Sequence, residues 1–290
     1  MHERRWIAVG CVLGLALAGC GGGTMATTDP PPSTPVPVSG NWVFEPAAGG
    51  TLTTPSVFPP FLAGSVVVNG TQVSADVLTL LIATSGCTIA GSPDVTLTGA
   101  VQKGQIGLTS TSWNGIVFTV TGTVSSDGQS ISSSWTAKGG CLDGQTGSFV
   151  GNYVPPVTGT WTGTASNLPA GVTGATTNSP LAGATMSLQL QQSSTSQGYL
   201  FPLSGSVTVS GTNCGFTHGT LESSSALAVR LPSYVMGDTW TILASMDDGK
   251  STLVAAGGAM PTNSAQWLTV FGISGGACDG AFAQATLARQ

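Results

Sequence analysis

Gly272-Ile273-Ser274-Gly275-Gly276 has the spacing that can hold a serine hydroxyl on a sharp turn as a nucleophile. Such a hydroxyl attacks only when a neighbouring base takes its proton. The chain has 2 histidines, His2 in the N-terminal leader and His218 in Gly215-Phe216-Thr217-His218-Gly219. A hydrolase elbow also needs a helix directly after the serine and a histidine further along, and neither follows Ser274. In a chain with 42 glycines the pattern arises from composition. No catalytic residue and no enzymatic activity are therefore expected. His218 has no partner at zinc-ligand spacing, and Asp94, Asp143 and Asp279 lack the spacing of a calcium loop. Asp-Gly pairs usually make turns. No metal and no cofactor are expected.

The remaining reactive side chains are 6 cysteines. Cys11 lies in the leader, and Cys20 directly follows it. Arg4 and Arg5 precede an apolar run from Trp6 to Leu17, and Leu17-Ala18-Gly19-Cys20 comes next. A basic start, a short apolar core and small residues describe an export signal over residues 1–19. Its Leu-Ala-Gly-Cys ending resembles the lipobox of bacterial lipoproteins. That resemblance implies cleavage before Cys20, lipid on Cys20, and a cell-envelope location with the membrane as partner. Gly21 after Cys20, where an inner-membrane lipoprotein carries aspartate, implies the outer membrane. Removing Glu3, Arg4 and Arg5 from the 7 basic and 12 acidic residues leaves 5 and 11, a net charge of −6. With no basic cluster, nucleic acid is excluded as a partner.

Residues 20–38 form a Pro/Thr/Gly tether, whose composition suits an extended spacer. The chain beyond the tether is duplicated. Ser39-Gly40-Asn41-Trp42 recurs as Thr158-Gly159-Thr160-Trp161, and Ser85-Gly86-Cys87 as Thr212-Asn213-Cys214. Asp127-Gly128 recurs as Asp248-Gly249, and Gly139-Gly140-Cys141-Leu142-Asp143-Gly144 as Gly275-Gly276-Ala277-Cys278-Asp279-Gly280. Val154-Pro155-Pro156-Val157 separates the repeats, giving domains at 39–154 and 157–290. Each repeat holds one cysteine pair, and an exported chain meets oxidising conditions, so Cys87–Cys141 and Cys214–Cys278 are expected as disulfides.

Turn signals fix hairpins in the first repeat. A two-residue loop at Asn69-Gly70 opposes Val66 to Val73, and one at Lys103-Gly104 opposes Val101 to Ile106. Asp127-Gly128 opposes Val124 to Ile131, Val120 to Trp135 and Phe118 to Ala137. The other face of this last hairpin is Thr and Ser with one exception, Val117, as a half-buried antiparallel sheet requires. With strands at Asn41–Glu45 and Gly147–Val154, eight strands form an up-and-down meander that closes into a barrel. Strand parity gathers the tight turns at one end. The long connections, with Cys87 and Cys141, fall at the other. In the second repeat Leu243 opposes Val254, and Met186, Leu188 and Leu190 alternate. Gly257-Gly258 and Pro261 interrupt the strand pattern there, as an insertion or bulge, and a two-sheet sandwich is the alternative.

The expected fold is thus all-β: two tandem antiparallel up-and-down β-barrels of about eight strands, each with one disulfide. Gly40-Asn41-Trp42 and Gly159-Thr160-Trp161, each heading such a meander, resemble the Gly-x-Trp of lipocalin and avidin-like barrels. That resemblance implies a tryptophan across the barrel floor and an open end that takes an apolar ligand. The Ser274 pentapeptide differs by one residue from the Gly-Asp-Ser-Gly-Gly of trypsin-like proteases, but their histidine belongs in the first barrel, where this chain has none. Phe58, Phe61 and Trp113, with Asp143, fall in the long connections as a ligand rim, and Tyr234 and Met236 take a similar place in the second repeat. If Phe58, Phe61 and Trp113 instead turn inward, they plug the mouth. The expected function is binding of a small apolar ligand or glycan at that rim. The alternative is a structural or adhesive surface module, built from barrels or from immunoglobulin-like sandwiches.

Overall fold

Alternating apolar and hydroxyl residues send one face of nearly every strand inward, and the sheet closes on itself twice. The computed structural model describes residues 35–47, 61–79, 83–84, 87–88, 94–172, 178–222, 233–260 and 263–290. Thr34–Gln290 form one compact unit. Cys20 and Phe58 lie outside the described residues.

The first barrel begins with β1 (Gly40–Pro46), β2 (Phe61–Asn69) and β3 (Gln72–Thr79). A two-stranded ladder, β4 (Ala83–Thr84) with β5 (Cys87–Thr88), precedes β6 (Asp94–Gln102). The barrel continues through β7 (Gln105–Ser110), β8 (Val117–Val124), β9 (Ser130–Lys138) and β10 (Thr146–Val154). The order β1-β10-β9-β8-β7-β6-β3-β2 is closed, with β1 paired to both β2 and β10.

The second barrel contains β11 (Gly159–Thr164), β12 (Thr185–Gln192), β13 (Phe201–Ser210), β14 (His218–Leu221) and β15 (Tyr234–Met236). Its remaining strands are β16 (Thr239–Met246), β17 (Thr252–Met260), β18 (Asn263–Ser274) and β19 (Phe282–Arg289). Pairing of β12 with β13 closes this sheet. β14 and β15 both lie between β13 and β16, so nine strands fill eight places. The chain is therefore an all-β protein of two closed eight-stranded antiparallel barrels.

The hairpins at Lys103-Gly104 and Asp127-Gly128 have the expected registers, including Val101 opposite Ile106 and Val120 opposite Trp135. The first hairpin differs. Val66 faces Ala75, not Val73, because the two-residue loop is Gly70-Thr71. Gly70, with φ +62°, takes the first central position that type II′ turns reserve for glycine. The change moves pairing by two residues, so every side chain keeps its face. In the second barrel Leu243 faces Val254 as expected. The interrupted segment is the β17–β18 hairpin, with a register shift at Ala259/Met260, and both strands run through it.

The duplication is structural, with one correction. The Trp42 indole N–H donates to the Val38 carbonyl (2.9 Å) and that of Trp161 to Val157 (2.8 Å). Val38 N in turn donates to the Gly128 carbonyl, so the end of the Pro/Thr segment belongs to the barrel floor. Asp127-Gly128 and Asp248-Gly249 are not equivalent: the first joins β8 to β9, the second β16 to β17. They lie at opposite ends of their barrels, since an antiparallel meander reverses direction at each strand.

Both barrels are filled. In the first, one interior row reads Ile106, Gly122, Ser133, Phe149 across β7 to β10. The equivalent row of the second reads Trp240, Gly257, Thr269, Ala285. The large residue moves from one end of the row to the other, and the glycine stays. A Cβ at Gly257 would stand 2.7 Å from the Trp240 indole nitrogen and 2.5 Å from the Thr269 hydroxyl. The Trp240 Nε1 and Thr269 Oγ1 are buried without hydrogen-bond partners among the described residues, one cost of filling this layer with an indole.

The barrels share a polar clamp. Asn41 points outward from β1, yet it is 1 % exposed. Its amide donates to the Gly237 carbonyl (2.7 Å) and accepts from the Gly237 N–H (2.7 Å), between β15 and β16. Ser65, its cross-strand neighbour on β2, donates to the Gly198 carbonyl (3.0 Å). Replacing Asn41 by alanine strands both backbone groups of Gly237, and the expected loss is about 1–3 kcal/mol of stability. A urea midpoint for Asn41→Ala equal to that of the unchanged chain would show that the clamp contributes nothing.

Candidate functional site at the cystine-bearing end

The strand ends joined by the long connections of the first barrel lie at one end, opposite the tight turns, and aromatic residues close that end. Phe61 stands at the start of β2 and is 1 % exposed. It makes edge-to-face contacts with Phe118 (5.4 Å between centroids) and Phe149 (6.0 Å). Phe118 in turn meets Trp135 (5.9 Å) and Trp113 (6.5 Å). Trp113 is 7 % exposed, because Thr111–Gly115 is a hairpin tip folded over the barrel: Trp113 and Ile116 exchange backbone hydrogen bonds of 2.8 and 2.9 Å around Asn114-Gly115. Two of the proposed rim residues, Phe61 and Trp113, are thus brought together, but in the core and not on the surface. An aromatic ring at a closed end gains more from burial than from water contact. Beneath them lies a wholly apolar cavity of about 30 Å³, lined by Phe44, Phe61, Val77, Leu97 and Phe149 among others.

Asp143 is exposed and structural. Its carboxylate accepts the Gly139 N–H (2.7 Å) and closes the turn around a 3₁₀ segment, Gly140–Leu142. Asp279 does the same for Gly275 (2.7 Å) around Gly276–Cys278. This explains the Ser274 pentapeptide. Gly275 (φ +80°) and Gly276 (φ +67°) turn the chain into the 3₁₀ segment, a conformation costly for other residues. Lys138 holds the place of Ser274 in the first barrel, so the turn does not require a serine. His218 is an exposed, outward residue at the start of β14, with Nδ1 3.5 Å from the Thr208 hydroxyl. Among the described residues, no group of three His, Cys, Asp or Glu is arranged to hold a metal ion.

Cys214, in the loop before β14, bonds to Cys278 with 5.3 Å between Cα atoms. Cys141 is also disulfide-bonded. Cys87, its expected partner, lies on β5, whose side chains are outside the described set. Tyr234 and Met236 are not at this end. They form β15, beside the Gly237 clamp at the opposite end of the second barrel.

Sequence reasoning missed Asp247, whose carboxylate accepts three hydrogen bonds at the cystine-bearing end of the second barrel. It accepts from Thr217 N (3.0 Å), the Thr217 hydroxyl (3.0 Å) and His218 N (3.1 Å), tying the loop after Cys214 to the β16–β17 turn. The only signal was a second aspartate before the Asp-Gly pair. The Thr217 backbone N–H holds the Asp247 carboxyl below its usual 3.8, with the His218 N–H and the Thr217 hydroxyl acting in the same direction. Asp248 is lowered by the Ser251 hydroxyl and the Lys250 N–H, and Asp127 by the Ser125 hydroxyl and the Gln129 N–H. No family model, curated protein or solved structure matches the chain.

A carboxyl whose folded pKa lies below its unfolded one stabilises the fold fully above the unfolded value and loses that contribution as pH falls through the folded one. Urea midpoints of the unchanged chain and Asp247→Asn should therefore differ most at neutral pH and converge in strong acid. A difference that grows as pH falls contradicts this assignment.

Proposed function

We propose that this chain is a non-enzymatic module of the bacterial cell envelope, held to the outer membrane by lipid on Cys20. Its two barrels serve as a structural or adhesive body. The observation that carries this reading is the burial of Phe61 and Trp113 against Phe118 and Phe149, which fills the end where a ligand would enter. Small-molecule sites commonly enclose roughly 300–1,000 Å³. The first barrel encloses an apolar cavity of about 30 Å³. The hydroxyl-rich outer wall of the first barrel and a net acidic chain suit a solvated body displayed from a tether.

The second reading, a small apolar ligand or glycan taken at the long-loop end, draws its support from that same cavity, whose lining is entirely apolar. A ligand larger than a few atoms would have to displace Phe61 or Trp113. Titrating intrinsic tryptophan fluorescence against a panel of lipids and glycans separates the two. No saturable change is expected, and Trp113→Ala should lose stability by about 3–5 kcal/mol without any binding phenotype. Saturable quenching that disappears in Trp113→Ala would establish the ligand reading instead. The anchor is tested separately: a metabolically supplied fatty-acid probe should label the expressed chain, and Cys20→Ser should abolish the label. Labelling that survives Cys20→Ser would refute the anchor.

A further inference from the structure

The two barrels share a fold but not an outer wall, and three strands show the difference. On β8, β9 and β10 of the first barrel, outward side chains form three cross-strand rows: Thr119-Thr136-Thr146, Thr121-Ser134-Ser148 and Thr123-Ser132-Val150. Eight of these nine positions carry a hydroxyl. The equivalent rows of the second barrel, on β17, β18 and β19, are Val254-Gly272-Phe282, Ala256-Val270-Gln284 and Gly258-Leu268-Thr286. One hydroxyl remains, and no position is charged. Val254 is 41 % exposed, Leu268 45 %, Val270 39 % and Phe282 38 %. Interior packing does not require this, because the inward residues of these strands are predominantly apolar in both barrels, with one buried hydroxyl in each, Ser133 and Thr269.

We propose that this wall is a self-association surface, which docks against the same wall of a second copy of the chain. A closed barrel has no free edge for strand addition, so the wall can be covered only face to face. The chain carries a net charge of −5, and two copies repel across most of their surface. The wall is an uncharged area where they can approach without opposing carboxylates. A two-fold contact also needs one self-complementary patch and no second site. Phe282 lies over Gly272, 2.8 Å from where a Cβ would stand, and so lies across the end row of the wall.

The size of the wall sets the strength. Three strands about 4.8 Å apart and three rows about 6.8 Å apart cover roughly 300 Å². Stable complexes bury about 800 Å² per partner. The contact is therefore weak in solution and gains weight where copies are crowded on one surface.

Sedimentation equilibrium of the full mature chain carrying Cys20→Ser, over a wide concentration range, tests the proposal without depending on the lipid anchor. A reversible monomer–dimer equilibrium is expected. Val270→Glu, which would place two carboxylates in the contact, should weaken association about tenfold or more while leaving the urea midpoint nearly unchanged. Thr121→Glu, on the corresponding wall of the first barrel, should leave association as it was. A chain that stays monomeric at every concentration, or a dimer indifferent to Val270→Glu, overturns the proposal. So does binding to neutral phosphatidylcholine vesicles that Val270→Glu abolishes, because the bilayer would then be what covers the wall.

Discussion

Closure of an antiparallel sheet is the constraint on which everything else in this molecule depends. Once eight strands close, each residue lies either inside a cylinder of fixed width or outside it, and inside volume must be filled at every level. The interior rows show how narrow the tolerance is. Ile106 and Phe149 in one barrel become Trp240 and Ala285 in the other, so bulk lost on one strand returns on another. Gly122 and Gly257 hold the same place in both because a Cβ there would collide with the next strand, 2.5 Å from the Ser132 carbonyl oxygen in one barrel and 2.7 Å from that of Leu268 in the other.

The ends of each cylinder obey the same constraint. Long connections permit aromatic side chains to fold back as stoppers, and Trp113, Phe118 and Phe61 do so in the first barrel. At the other end a tryptophan four residues after a Val carbonyl donates its indole N–H to it, in both repeats, and so ties the incoming segment to the floor. The aspartates at Asp143 and Asp279 and the Cys214–Cys278 bond then brace turns already positioned by the sheet. Functional potential is left to the outer walls, where closure imposes no choice of residue.

Much of this was legible because its causes are local. Alternation and turn residues placed the hairpins at Lys103-Gly104 and Asp127-Gly128 in register, and parity assigned the long loops to one end. The slip at Gly70 came from the same chemistry: glycine marks a turn but does not say which central position it occupies. The pairing of Asp127-Gly128 with Asp248-Gly249 failed for a related reason, since similar turns recur at both ends of a meander. The placement of Phe61 and Trp113, as rim or as plug, was left open because a phenylalanine or tryptophan in a connecting loop has the same sequence signature whether it faces water or the core.

By itself, the order of residues determined that the chain is all-β, that it repeats, which faces turn inward and where the strands reverse. Those properties depend on neighbours within a hairpin. Only the tertiary structure decided that Phe61 and Trp113 close the barrel, that Asn41 clamps Gly237 across 196 residues, and that β14 and β15 share one place in the second cylinder. Each of these depends on which surfaces meet once the sheet has closed, and contacts between distant segments leave no local periodicity to read.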